Sequence, residues 1–153
     1  MQLGKRGIIG LLILIGLAGC ASLVQPGASP LTSPLPAPTG IILQYQRVGG
    51  LGGFDETWTI DAGGRVTHTG QGPGTDRQLT PDQRAQLIGA IRAAQAAGLN
   101  ASYVPANTCC DRFTHTLTLL LDGGTRTVTT LDAAPDEPPA LTNLLATLTG
   151  LLK

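Results

Sequence analysis

Residues 21–39, ASLVQPGASPLTSPLPAPT, carry no charged side chain, and proline returns at Pro26, Pro30, Pro34, Pro36 and Pro38. Such a segment has neither the apolar periodicity to form a core nor the backbone donors to join a ladder, so it reads as an extended tether. In polyproline-like geometry its nineteen residues reach up to roughly 60 Å, at about 3.1 Å each. Everything that folds must therefore be built from Gly40 to Lys153, 114 residues, which suits one domain with one hydrophobic core.

The segment before the tether has a different logic. Lys5 and Arg6 form a short positive region, Ile8 to Leu17 an apolar run too brief for a permanent membrane helix, and Leu17-Ala18-Gly19-Cys20 a small-residue cleavage site. Residues 1–19 thus read as a signal peptide, and residues 20–39 as the lipid-bearing cysteine with its tether. The tetrad resembles the lipobox of bacterial lipoproteins. That resemblance implies cleavage before Cys20, acyl chains (palmitate among them) on that residue, and an extracytoplasmic domain held to a cell membrane or outer membrane.

In the remaining domain, Leu43 and Tyr45 alternate with glutamines in Ile41 to Arg47, the period of a half-buried strand. Gly49-Gly50-Leu51-Gly52-Gly53 breaks that strand. Thr57 to Ile60 alternates again, Asp61-Ala62-Gly63-Gly64 is a turn, and Arg65 to Thr69 reads as the returning strand of a hairpin. Gly70 to Gly74 reads as a flexible loop.

Thr80-Pro81-Asp82-Gln83 supplies a hydroxyl cap, proline in the first turn and glutamine three residues after the cap, which predicts a helix over 81–97. Leu87, Ile88, Ile91 and Ala94 fall on one face of it, and Gly98 suits its stop. Phe113 to Leu121 and Arg126 to Leu131 read as strands joined by a tight turn at Asp122-Gly123-Gly124. Pro138 and Pro139 then open a helix whose leucines 141, 144, 145, 148, 151 and 152 keep the helical period. The order predicts an α+β fold: an antiparallel sheet of four to five strands with two helices packed on one face.

The chemistry on offer is sparse. Ten basic and ten acidic side chains balance, and loss of Lys5 and Arg6 with the signal leaves a slight acidic excess, which argues against nucleic acid as a partner. His68 and His115 stand mid-strand without zinc spacing, so no metal or cofactor is expected and both read as packed strand residues. Outside the signal and tether the one serine is Ser102, with no elbow around it, and the chain has only two glutamates, Glu56 and Glu137. No catalytic residue is assigned, and the expectation is a non-enzyme. The glycine runs lack the following helix or the lysine that a phosphate loop requires.

Cys109 and Cys110 are adjacent, in a compartment where thiols oxidise. Three states compete: a vicinal disulfide, which is favoured, a thiol pair open to redox exchange or to a metal with Asp111 and His115, or a bridge to another chain.

Read in order, Arg47-Val48-Gly49-Gly50, Gly53-Phe54, Trp58-Thr59-Ile60-Asp61, Leu79-Thr80-Pro81, Asp111-Arg112-Phe113-Thr114-His115 and the leucine-rich last helix resemble the emfourin family, over essentially residues 41–152. That family comprises small inhibitors of thermolysin-type (M4) metalloproteases such as protealysin. Against its pattern, His115 stands where tyrosine is usual, the two cysteines precede the Asp-x-Phe stretch, and the lipid anchor is an addition. The resemblance implies inhibition by occlusion, a loop entering the protease cleft with an apolar side chain for its specificity pocket. Leu51 and Phe54 are then the apolar candidates, with Arg47 and Asp55 at the rim and the Cys109 to Arg112 loop as a second contact surface. Phe54 has the competing reading of a strand residue facing the core. The competing function is an envelope interaction or assembly lipoprotein that binds a protein or cell-wall partner without inhibiting a protease.

Overall fold

A computed structural model describes residues 39–153. The expected signal peptide, Cys20 and all of the tether except Thr39 lie outside the described residues. Among the described residues no helix is long and apolar enough to cross a membrane.

The domain is α+β. Seven strands run β1 (Ile41–Gly49), β2 (Phe54–Asp61), β3 (Arg65–Gln71), β4 (Arg77–Gln78), β5 (Ser102–Tyr103), β6 (Phe113–Leu119) and β7 (Arg126–Leu131). Helix α1 (Pro81–Ala96) lies between β4 and β5, and α2 (Pro139–Leu151) closes the chain. The sheet order is β4-β3-β2-β1-β6-β7-β5. Neighbours are antiparallel except β5, which runs parallel to β7 through Ser102 opposite Thr129 and Tyr103 opposite Thr130.

The sheet is therefore mixed and seven-stranded, where four to five antiparallel strands were expected. The two additions are the two-residue edges β4 and β5, too short to show any alternation. A second correction concerns the turn at Asp122. Strand β6 stops at Leu119, and a 3₁₀ turn at Leu121–Gly123 makes the connection a wider one. Asp122 sits there at φ 56°, its carboxylate gripped by Arg92 at 3.0 and 3.2 Å, while Gln95 donates to the Leu121 carbonyl at 3.2 Å. The turn thus combines contacts from α1 with Gly123 at φ 77°.

Alternation sorts the strand side chains onto two faces. Leu43, Tyr45, Trp58, Ile60, Val66, Leu117, Leu119 and Val128 join Leu87, Ile91 and Ala94 of α1 and Leu141, Leu144, Leu148 and Leu151 of α2 in one core. Both helices thus cover the same face. The other face is largely threonine and glutamine, as Thr57, Thr116 and Thr118 beside Gln44 and Gln46 illustrate. β-branched residues keep a solvated strand stiff at little cost.

Helix α1 begins as its sequence dictates. The Thr80 hydroxyl accepts from the Gln83 amide at 3.2 Å, and the Gln83 side chain accepts from the Thr80 amide at 2.9 Å. Gly98, at φ 65°, ends the helix by donating to the Gln95 carbonyl at 3.3 Å.

Candidate functional site

The β1–β2 hairpin tip is an arch of glycines over two aromatic rings. Gly49, Gly50 and Gly53 take φ of 121°, 70° and 60°, conformations that L side chains rarely adopt. Gly53 donates to the Gly50 carbonyl at 3.0 Å and closes the turn. Beneath it Phe54 and Phe113 stack with centroids 6.2 Å apart and ring planes inclined by 21°. A Cβ on Gly50 would fall 2.5 Å from the Phe113 ring, and one on Gly52 would fall 2.9 Å from Phe54. The rings hold the arch up, and glycine is what lets the backbone rest on them.

Leu51 projects from the top with 90% of its surface exposed. Exposing one leucine this completely forgoes about 2 kcal/mol of burial, and a tip supported on both sides offers it no way to fold inward. The four sequence candidates therefore occupy different places. Leu51 points outward, Phe54 is half-buried under the arch, and Asp55 is exposed on the threonine face, where it accepts from the Gln46 amide at 2.9 Å.

Arg47 lies on the helix side. Its guanidinium stands 4.8 Å over the Phe113 ring and 5.5 Å over Trp58, and its Nε donates to Glu56 Oε2 at 3.1 Å, joined there by Nη2. Arg47 thus supports Phe113, which supports the arch. The signal was in the strand period, since Tyr45 and Arg47 share one face. Glu56 shares the other strand's matching face with Trp58 and Ile60, and it is wholly buried.

The second candidate surface adjoins the first. The Gly50 amide donates to the Arg112 carbonyl at 3.4 Å, and the Arg112 amide donates to the Cys110 carbonyl at 2.8 Å. Cys109 and Cys110 are exposed free thiols with sulfurs 2.8 Å apart. The Cys109 amide is held by the Asn107 side chain at 3.0 Å, and Cys110 has φ 82°. Hydrogen bonding to the Cys109 thiol, joined by some loss of solvation, moves the Cys110 thiol above its ordinary value, against a small pull from Arg112. Among the described residues no group of three or more His, Cys, Asp or Glu side chains is disposed to hold a metal.

Below the arch runs a hydrogen-bonded chain that sequence alone left unread. The Tyr45 hydroxyl and His115 Nδ1 share a hydrogen bond at 2.7 Å, and His115 Nε2 bonds Asp132 Oδ1 at 2.7 Å. Asp132 Oδ2 accepts the Phe113 amide at 2.9 Å. Burial pushes the Tyr45 phenol up to about 12, the nearby Arg47 charge pulling it partly back and the carboxylates of Asp132 and Glu56 adding to the rise. Burial acts to raise the Asp132 carboxyl too. There the His115 and Phe113 N–H groups and the charges of His115 and Arg112 outweigh it and hold Asp132 below the usual carboxylate range.

The site is thus a projecting leucine on a propped glycine arch, flanked by a dithiol loop bonded to it and braced from behind by Arg47. No protein-family model matches the chain, and neither does any curated protein or any solved structure.

Proposed function

We propose that the chain is a lipid-anchored, extracytoplasmic, non-catalytic binding protein whose hairpin tip enters the cleft of thermolysin-like metalloproteases and blocks it with Leu51. The observation that carries this reading is the near-complete exposure of Leu51 on a glycine arch that cannot collapse around it. An apolar side chain on a pre-shaped loop binds a hydrophobic pocket with little further loss of conformational freedom. Burying it in such a pocket adds about 2 kcal/mol, or roughly 30-fold in affinity. The Cys109 to Arg112 loop, bonded to the same tip, supplies a second edge of contact. Cys20 supplies the anchor, and with it confinement of inhibitor and target to one surface.

The deciding experiment titrates the full chain, purified in detergent, against thermolysin and a thermolysin-like protease of the same organism while peptide cleavage is followed. Stoichiometric or slow-onset loss of activity is the expected result. Full protease activity at micromolar concentrations of folded chain refutes inhibition and leaves an envelope interaction lipoprotein whose partner is sought by cross-linking. Separately, Cys20→Ser is expected to release the chain from the membrane fraction and to abolish palmitate incorporation.

A further inference from the structure

Behind the arch, on the helix side of the sheet, lies a half-open cavity of ≈ 280 Å³. Arg47, Glu56 and Trp58 come to it from the sheet, Gly74 from the β3–β4 connection, and Leu152 and Lys153 from the end of α2. The volume sits near the lower end of the roughly 300–1,000 Å³ range of ligand sites. The glycine-rich run after β3 finds its reason here. A Cβ on Gly72 would lie 2.0 Å from the Glu56 carboxyl, and one on Gly74 would lie 2.3 Å from the His68 ring, so this loop is laid tightly over buried polar groups.

The polar groups around the cavity are unequally used. Both oxygens of Glu56 are engaged, Oε2 by Arg47 and Oε1 by the Gly74 amide at 3.2 Å, with His68 Nε2 at 3.4 Å from Oε1. What remains open is donor capacity. Trp58 is 3% exposed and its Nε1–H, fully buried, has no hydrogen-bond partner. Among the described residues Arg47 uses Nε and Nη2 on Glu56, leaving Nη1 unengaged, and Lys153 forms no ion pair. A guanidinium with one unengaged nitrogen and an ammonium without an ion pair on the cavity wall are complemented by an anionic acceptor. The Glu56 carboxylate, buried a few ångströms away, sets a limit on how much negative charge the occupant carries and disfavours a dianion such as phosphate. The indole of Trp58 and the Leu152 side chain supply apolar surface.

We propose that this cavity binds a small organic monocarboxylate bearing an apolar or aromatic group, its carboxylate on Arg47 and Lys153 and its apolar part against Trp58 and Leu152. Such a carboxylate comes either as a free acid or as the C-terminus of a short peptide. The site stands apart from Leu51 and requires no protease.

Trp58 is the sole tryptophan of the chain, so tryptophan fluorescence is read from one residue on the wall of this cavity. The full chain in detergent is titrated with phenylacetate, with the N-acetylated dipeptide alanyl-phenylalanine, and with phenylacetamide as the uncharged control. The expected result is a saturable change with at least one acid at a dissociation constant of about 1 mM or below, and at least tenfold weaker binding of the amide. Lys153→Ala, at an exposed position, weakens the acid about tenfold, while Leu51→Ala leaves it unchanged. A response to phenylacetate assigns the free acid, and a response confined to the dipeptide assigns a peptide terminus. No saturable response to either acid from a chain with native circular dichroism overturns the proposal, as does an amide that binds as tightly as its acid.

Discussion

Arg47 and Glu56 face each other in register across β1 and β2, and the pair joins a guanidinium with 28% of its side chain exposed to a carboxylate with none. In the interior that carboxylate meets this one cation, accepts from the Gly74 amide at 3.2 Å, and has His68 Nε2 at 3.4 Å from Oε1. Removing the cation is therefore worse than removing both partners. Arg47→Ala is expected to destabilise the domain by about 3–5 kcal/mol, and Arg47→Ala with Glu56→Leu by much less, as read from urea denaturation midpoints.

Gly49→Ala tests the arch from its base. A Cβ there meets the Arg112 carbonyl oxygen at 2.5 Å, backbone against backbone, at φ 121°. The expected loss is about 2–4 kcal/mol, accompanied by weaker protease inhibition because the tip is displaced. Gly53→Ala, with φ 60° but open space around it, is expected to cost only about 1 kcal/mol.

Leu51→Ala should leave the unfolding midpoint unchanged, since the side chain touches solvent, while raising the inhibition constant roughly 30-fold through the lost pocket contact. Equal inhibition by the variant removes Leu51 from the mechanism.

The Tyr45 phenol, ordinarily at 10.0 and raised to about 12, stays protonated in the folded chain at a pH where the unfolded chain has lost its proton. Its contribution to stability is thus complete below pH 10 and disappears as the pH rises through about 12. Phenolate absorbance of a Tyr103→Phe variant, in which Tyr45 is the remaining tyrosine, is expected to appear near pH 12 while the fold persists. Asp132 has the opposite sign. Its lowered value stabilises above the ordinary carboxylate range and is lost as acid protonates it, so Asp132→Asn flattens the acid limb of the stability profile below about pH 4.

Cys109→Ser with Cys110→Ser is expected to fold as the parent does, with an unchanged urea midpoint, both thiols being exposed. Mild oxidation of the parent is expected to remove two hydrogens by mass spectrometry without producing a dimer on non-reducing gels, because the neighbouring sulfurs are 2.8 Å apart.

Where local chemistry decides structure, the sequence is readable. The Thr80–Gln83 capping box, the Asp61 to Gly64 turn and the leucine period of α2 each carry their own geometry, and each is found in place. Elements set from a distance are not. Strands β4 and β5 exist because β3 and β7 have ladder groups to satisfy, and Asp122 turns as it does because Arg92 holds it from another element. The site divides the same way. Leu51 was legible as an apolar residue among glycines, whereas the Phe54–Phe113 stack joins residues far apart in the chain, and the Tyr45–His115–Asp132 chain draws on β1, β6 and the residue after β7. Glu56, between Asp55 and Thr57 in β2, gives no sign in the sequence of the arginine that stands opposite it.

The sheet ends on both sides in strands of only two residues, Arg77–Gln78 and Ser102–Tyr103. An edge strand of two residues offers an incoming chain only two rungs, which hinders zipping by another copy. Under the proposed lipid anchor, copies share the plane of a bilayer and meet sideways more often than in dilute solution. A copy that collides sideways with such a strand gains little from pairing along it.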